Sequence, residues 1–139
     1  MKGIGIDILE TGRVEPMVDS QMRGFIRQFT EKEIEEVLKQ ENQYIAFAKR
    51  FSLKEAVYKS LHTFEGIRSF QEIEILTDSN GILFVSLYGR IKEIADKNGI
   101  SQILLSVSYE RRTIVSMAFE EQKIRLKCNT EKHEYGNLN

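Results

Sequence analysis

Apolar residues recur along the chain with two different periods, and the changes of period mark its elements. Near the start, "KGIGIDILE" sets Ile4, Ile6 and Ile8 against Gly5, Asp7 and Leu9. That alternation reads as a strand whose other face is only partly apolar, with Asp7 inside it. A mixed helical segment follows from Arg13 to Gln28. In "TEKEIEEVLKQ", Thr30 precedes Glu33 by three positions, the spacing of a capping box, and so predicts the start of a helix. "NQYIAFAKRFSLKEAVYKSL" then keeps Ile45, Ala48, Phe51, Ala56 and Leu61 at helical spacing with no Gly or Pro. One long helix from Asn42 to Leu61 is expected. Ser52 and Glu55 also match a capping box, but in a continuous helix Ser52 is interior and the match is accidental.

After "HTFEGIRS", a loop by composition, the period becomes two. "FQEIEILTDSNGILFVSLYG" reads as two strands about a turn at Asp78 to Gly81, signalled by Asn80 and Gly81. "RIKEIADKNG" is a short amphipathic helix with Ile91, Ile94 and Ala95 inward and Gly99 as its stop. "QILLSVSYE" and "TIVSMAFEE" form a second strand pair turning at Arg111 and Arg112. The order strand, helices, two strands, helix, two strands predicts an α+β domain. Residues 1–121 form that domain. The polar segment 122–139, with Lys123, Arg125, Lys127 and Lys132, reads as a solvated tail.

Composition narrows the function classes. A chain of 139 residues, 41% hydrophobic, fits one domain with its own core. Its 20 basic and 21 acidic residues nearly cancel, so no overall field points to nucleic acid or to an anionic membrane. Any anion site must be local. The single cysteine, Cys128, excludes an internal disulfide, and no apolar run has the length of a signal peptide or membrane span. The cytoplasm is the expected compartment.

The candidate chemistry lies in "RFSLKEAVYK". On a helix, Phe51, Glu55 and Tyr58 share a face, so the acid lies beside two aromatic rings. Glu55 and Lys59 have the spacing of an ordinary i,i+4 ion pair. The alternative is that Glu55 meets Asp7, also set in an apolar segment; two such carboxylates need a proton or a cation between them. Hard oxygen ligands of this kind suit Mg²⁺, which commonly takes one or two carboxylates plus water and substrate phosphate.

"GIGIDILE", "FAKRFSLKEAVYKSL", "FQEIEILTDSNG" and "SVSYERRTIVSMAFEE", in that order from residue 3 to about residue 121, resemble the holo-acyl-carrier-protein synthase family of small phosphopantetheinyl transferases. The resemblance implies a phosphopantetheinyl-transferase-like fold, an antiparallel sheet packed against a long central helix. It implies transfer of 4′-phosphopantetheine from coenzyme A to a serine of apo acyl carrier protein, of fatty acid biosynthesis or of another pathway, with release of adenosine 3′,5′-bisphosphate. Asp7 and Glu55 take the positions of the Mg²⁺ ligands, and Lys59 joins them as a catalytic residue in the phosphate environment. Arg50, Lys54, Thr63, Gly66 and Tyr109 fall at coenzyme A-binding positions, while Arg13, Arg23 and Arg27 match basic positions directed at the acidic carrier protein. A homotrimer with coenzyme A between subunits is expected.

Two stretches depart from the family pattern. Tyr109 stands where relatives usually carry histidine, so a hydrogen-bond donor remains but the positive charge does not. "HTFEG" keeps Thr63 and Gly66 but places His62 and Phe64 at glycine positions, restricting the backbone. His62 also reads as a simple end-of-helix residue. These departures frame a rival: a homologue that binds coenzyme A or carrier protein without transfer. A Mg²⁺-dependent phosphohydrolase or nuclease using the same acids is a second, disfavoured by the absence of a basic groove.

Overall fold

The computed structural model describes residues 3–20, 23–63 and 66–122. Five strands and five α-helices follow in the order β1 (Ile4–Glu10), α1 (Glu15–Asp19), α2 (Arg23–Ile26), α3 (Glu31–Leu38), α4 (Gln43–Ser60), β2 (Ile73–Thr77), β3 (Leu83–Leu87), α5 (Gly89–Lys97), β4 (Ile100–Glu110) and β5 (Thr113–Gln122). The α+β expectation holds. The strands form two antiparallel sheets, β1-β5-β4 and β2-β3. No helix among the described residues is long and apolar enough to cross a membrane. The polar segment expected over 122–139, apart from Gln122 in β5, lies outside the described residues.

Helix α4 organises the domain. Asn42 caps it by accepting from the Ile45 amide, and Leu61 closes it, the bounds expected from its unbroken apolar spacing. Eleven of its eighteen residues are buried, so it runs through the core rather than over the surface. One cluster joins Leu53, Ala56, Val57 and Leu61 to Ile73, Ile75, Ile91 and Ile103. A second joins Phe47 to Phe25 and Phe29, whose rings meet edge-on with centroids 5.0 to 6.2 Å apart.

Several details differ from the pattern reading. The segment between Arg13 and Gln28 is broken: a 3₁₀ turn at Thr11–Arg13 leads into α1, with Pro16 in its first turn, and α2 is a single turn. Phe70–Glu72 is 3₁₀ rather than strand because Ser69 and Glu72 close a capping box around it. The Glu72 carboxylate also accepts from the Arg90 and Ile91 amides at the start of α5. Partial burial pushes its pKa up, but these backbone amides outweigh that and leave it below the usual range.

On β1 it is the face of Gly5, Asp7 and Leu9 that meets α4, while Ile4, Ile6 and Ile8 are exposed on the other. The glycines explain the inversion. A Cβ on Gly5 would overlap the Ala56 carbonyl oxygen, and one on Gly3 the Ser60 carbonyl oxygen. The strand therefore lies directly on the helix backbone.

Lys54 is the main correction to the coenzyme A-binding set. Its side chain is fully buried and its ammonium donates to Glu33 Oε1 at 2.7 Å, to the Phe70 carbonyl at 2.8 Å and to the Ile73 carbonyl. All three hydrogens are thereby used inside the protein. Glu33, equally buried, also accepts from the Thr30 amide, as the capping box requires, and from the Ile75 amide. Burial pushes the Glu33 pKa up and the Lys54 pKa down, and each is opposed by the other's charge. Lys54→Met leaves Glu33 buried without its counter-charge; a loss of about 3–5 kcal/mol in urea unfolding is expected.

Candidate active site

Asp7 reaches the site because β1 crosses α4 at Gly5 and brings its next inward-facing residue to the preceding turn of the helix. Ser52, Glu55 and Lys59 are spaced i, i+3 and i+7 on α4 and so share one face. Ser52 Oγ donates to Asp7 Oδ2 at 2.9 Å. Lys59 Nζ donates to Asp7 Oδ1 at 3.0 Å and to the Ile6 carbonyl at 3.2 Å. The Lys59 side chain is 51% exposed and that of Asp7 13%. A hydrated ammonium therefore pairs with a carboxylate that is largely withdrawn from water.

Glu55 shares a cavity of about 230 Å³ with Asp7, Arg13, Met17 and Phe51. Partial burial is the first cause of its raised pKa, the Asp7 charge adds to it, and Lys59 acts against both. The charge of Asp7 is thus felt at Glu55. Phe51, which stacks at a tilt on Phe25 with centroids 5.5 Å apart, supplies part of the apolar wall.

A larger cavity, about 530 Å³, opens beside the preceding turns of α4, lined by Ala46, Lys49, Arg50, Thr77 and Gly81. Arg50 is buried in its wall, with Nη2 donating to Glu36 Oε2 at 2.8 Å and to Thr77 Oγ1 at 3.4 Å. Its Nε has no hydrogen-bond partner among the described residues. Lys49 Nζ lies 5.6 Å from the centroid of the Tyr109 ring. A positive charge thus stands beside Tyr109 although the residue itself carries none.

The structure brings Asp7, Glu55, Lys59 and Arg13 together, places Arg50 at the second cavity, and keeps Lys54 in the core. Arg23 and Arg27 line a separate apolar groove with Val18, Ile26, Ile34 and Phe47. Thr63 is half-buried and Gly66 exposed after α4, while Phe64 lies outside the described residues. His62 takes a left-handed backbone, φ 46°, just past the helix end. That is the place glycine commonly fills, consistent with the end-of-helix reading. Sequence reasoning missed Ser52 as a partner of Asp7, although its spacing from Glu55 and Lys59 was the available signal. Lys49 carried no signal beyond its proximity to Arg50.

Comparison with known proteins fits this geometry. Residues 3–118 match the family model described as the 4′-phosphopantetheinyl transferase superfamily. A holo-[acyl-carrier-protein] synthase of Clostridium acetobutylicum is 37% identical over 122 residues, covering 87% of this chain and 98% of that protein. The chain belongs to this family. Among solved structures, the holo-[acyl-carrier-protein] synthase of Neisseria meningitidis superposes with a TM-score of 0.76 at 31% identity, covering 86% of this chain and 98% of that one. The Helicobacter pylori synthase, solved in complex with coenzyme A, gives 0.71 at 26% identity over 85% and 99%.

The electrostatic coupling in the cavity has a direct consequence in metal-free buffer. Asp7→Asn removes a neighbouring negative charge, so the Glu55 pKa should fall while staying above its ordinary value through burial; Lys59→Met should raise it. Carboxyl NMR titration of Glu55 in both variants measures the two shifts, and shifts of the same sign would contradict the placement.

Proposed function

We propose that this chain transfers 4′-phosphopantetheine from coenzyme A to a serine of apo acyl carrier protein and releases adenosine 3′,5′-bisphosphate. The cavity that Asp7 and Glu55 share, with Lys59 paired to Asp7 beside it, carries the reading. Family membership supports the same chemistry. The serine oxygen forms a bond to the β-phosphorus of coenzyme A as the bond to the departing phosphate oxygen breaks, and the hydroxyl proton passes to water. Charge grows on the leaving oxygen, so positioning and positive charge are what a catalyst must provide.

Mg²⁺ fits the residues present. Burial and the Asp7 charge disfavour the ionised form of Glu55, and a divalent cation between the two carboxylates relieves it. Among the described residues no three His, Cys, Asp or Glu side chains gather as a fuller cage. Asp7 and Glu55 would hold the ion, with water and substrate phosphate completing its shell, the pattern Mg²⁺ favours. Bound there, it supplies charge neutralisation at the pyrophosphate. Lys59 exchanges Asp7 for a phosphate oxygen. Arg50 and Lys49, both lining the larger cavity, with Lys49 beside Tyr109, supply cations for the remaining anionic groups of coenzyme A; Thr63 and Gly66 stay in the proposed contact set. Lys54 leaves it.

Arg13 at the catalytic cavity, and Arg23 and Arg27 at the apolar groove, form the proposed carrier-protein surface, where rim charges act mainly on association rate. The reaction calls for a cytosolic pool of both substrates. The outer face of the β1-β5-β4 sheet supports self-association: Ile4, Ile6, Ile8, Val115, Met117 and Leu104 are between 40% and 68% exposed on it. A contiguous apolar sheet face of this kind marks an interface, and a homotrimer is the proposed assembly. Sedimentation at micromolar concentration should give the trimer mass; a monomer would remove it from the reading.

Incubation with apo acyl carrier protein, coenzyme A and Mg²⁺ should add one phosphopantetheine to the intact mass of the carrier. The gain should disappear with chelator and with Glu55→Ala, and reversal of Arg23 and Arg27 to Glu should slow it at low salt more than at high salt. No gain with any of several carrier proteins, from a folded trimer that still binds coenzyme A, would replace transfer by binding alone.

A further inference from the structure

We infer that Ser52 is a positioning residue, whose buried hydroxyl fixes one oxygen of Asp7 so that the other is free to meet the cation. This rests on the reading of Asp7 and Glu55 as a cation pair and adds a residue to it. Ser52 is fully buried in the interior of α4. A serine there commonly returns its hydroxyl to a carbonyl one turn back. Ser52 instead donates across to β1, at 2.9 Å from Asp7 Oδ2.

The two oxygens of Asp7 therefore have different partners. Oδ2 is held by a short side chain locked in the core, and Oδ1 by Lys59, a long and half-exposed side chain at 3.0 Å. The first partner has nowhere to go, whereas the second can swing to a phosphate oxygen. When it does, Oδ1 is released and Oδ2 stays anchored, so the carboxylate keeps its orientation while one ligand position opens. A hydrogen bond that orients a ligating carboxylate is of the kind whose removal weakens metal binding about 10–100-fold.

A second serine provides an internal contrast. Ser116 on β5 is paired in register with Asp7 and is also fully buried, yet its Oγ has no hydrogen-bond partner among the described residues. Closeness to Asp7 and burial are shared by both serines; the directed hydroxyl belongs to Ser52.

The test is direct Mn²⁺ binding to the whole chain, followed by the electron paramagnetic resonance of free Mn²⁺, with and without coenzyme A. Ser52→Ala and Ser52→Cys, which remove or weaken the donor at nearly constant volume, should bind Mn²⁺ about 10–100-fold more weakly. Ser52→Thr should restore most of the affinity, and Ser116→Ala should match the unaltered protein. Circular dichroism selects the folded variants, and two donor-loss variants guard against failure of either. Unaltered Mn²⁺ affinity in a folded donor-loss variant overturns the inference and leaves the carboxylate pair standing. Equal losses in a folded Ser52→Thr show that packing, not the hydroxyl, matters, and also overturn it. Absence of Mn²⁺ binding by the unaltered chain removes the pair and the inference together.

Discussion

The site depends on how closely β1 lies on α4. Side chains normally hold a strand well off a helix axis, and at that separation a short aspartate could not engage a serine buried on the helix. Gly3 and Gly5 remove the spacers, and the helix answers with Ala56 and Ser60 at the crossing. The strand's backbone then rests on the helix, and Asp7, one inward step further on, meets Ser52 and Lys59 a turn of helix to either side of the Glu55 level. A small residue is needed for a geometric reason here: the backbones could not otherwise approach.

The same helix distributes its charges in opposite senses, and burial decides which are structural. Arg50 and Lys54, one turn apart, both point to the β2 side, where Glu36 and Glu33 of α3 receive them. Lys54 is fully enclosed and fully bonded, so removing its partner would leave a desolvated charge. Such pairs commonly contribute little net stability compared with an apolar replacement, but this one ties three elements together: Glu33 caps α3, accepts from β2 and holds α4. Lys59, on the other face, is half in water and loses little by changing partners. That difference separates the lysine that builds the fold from the lysine available to a substrate.

Much of the fold was legible because local signals agreed. The turn at Asp78 to Gly81, the cap at Thr30 and the extent of α4 follow from spacing and from residues whose conformational preferences are strong, whereas the turn at Arg111 to Arg112, with both arginines at positive φ, was legible only from the alternating runs on either side of it. The exposed isoleucine face of β1 was not, because alternation shows that a strand has two faces without showing which is covered; the glycines decided it through contact with a distant element. Lys54 was misassigned for a related reason. A lysine in a basic helix segment looks solvated until its acidic partner, twenty-one positions earlier, is known to be buried as well. The carboxylate pair was suggested by residue type and strengthened by resemblance, whereas Ser52 had only its helical spacing, shared by many serines that bind nothing.

The electrostatics of the cavity bear on the proposed divalent cation. A carboxylate fully satisfied by the protein has no reason to take a metal, as Glu33 illustrates. Glu55 is the opposite case: partly buried, beside another acid, and compensated by an ammonium whose closer bond is to Asp7. Burial and the Asp7 charge both push its pKa up, whereas at Glu33 every charge and hydrogen bond offered by the protein opposes burial. A site in which one acid is anchored, the other under-compensated and the neighbouring cation exchangeable gains most when metal and anionic substrate arrive together: the metal relieves the acids, and the phosphate receives the displaced lysine. On the proposed reading, Lys59 would couple the binding of the two without any movement of β1 or α4.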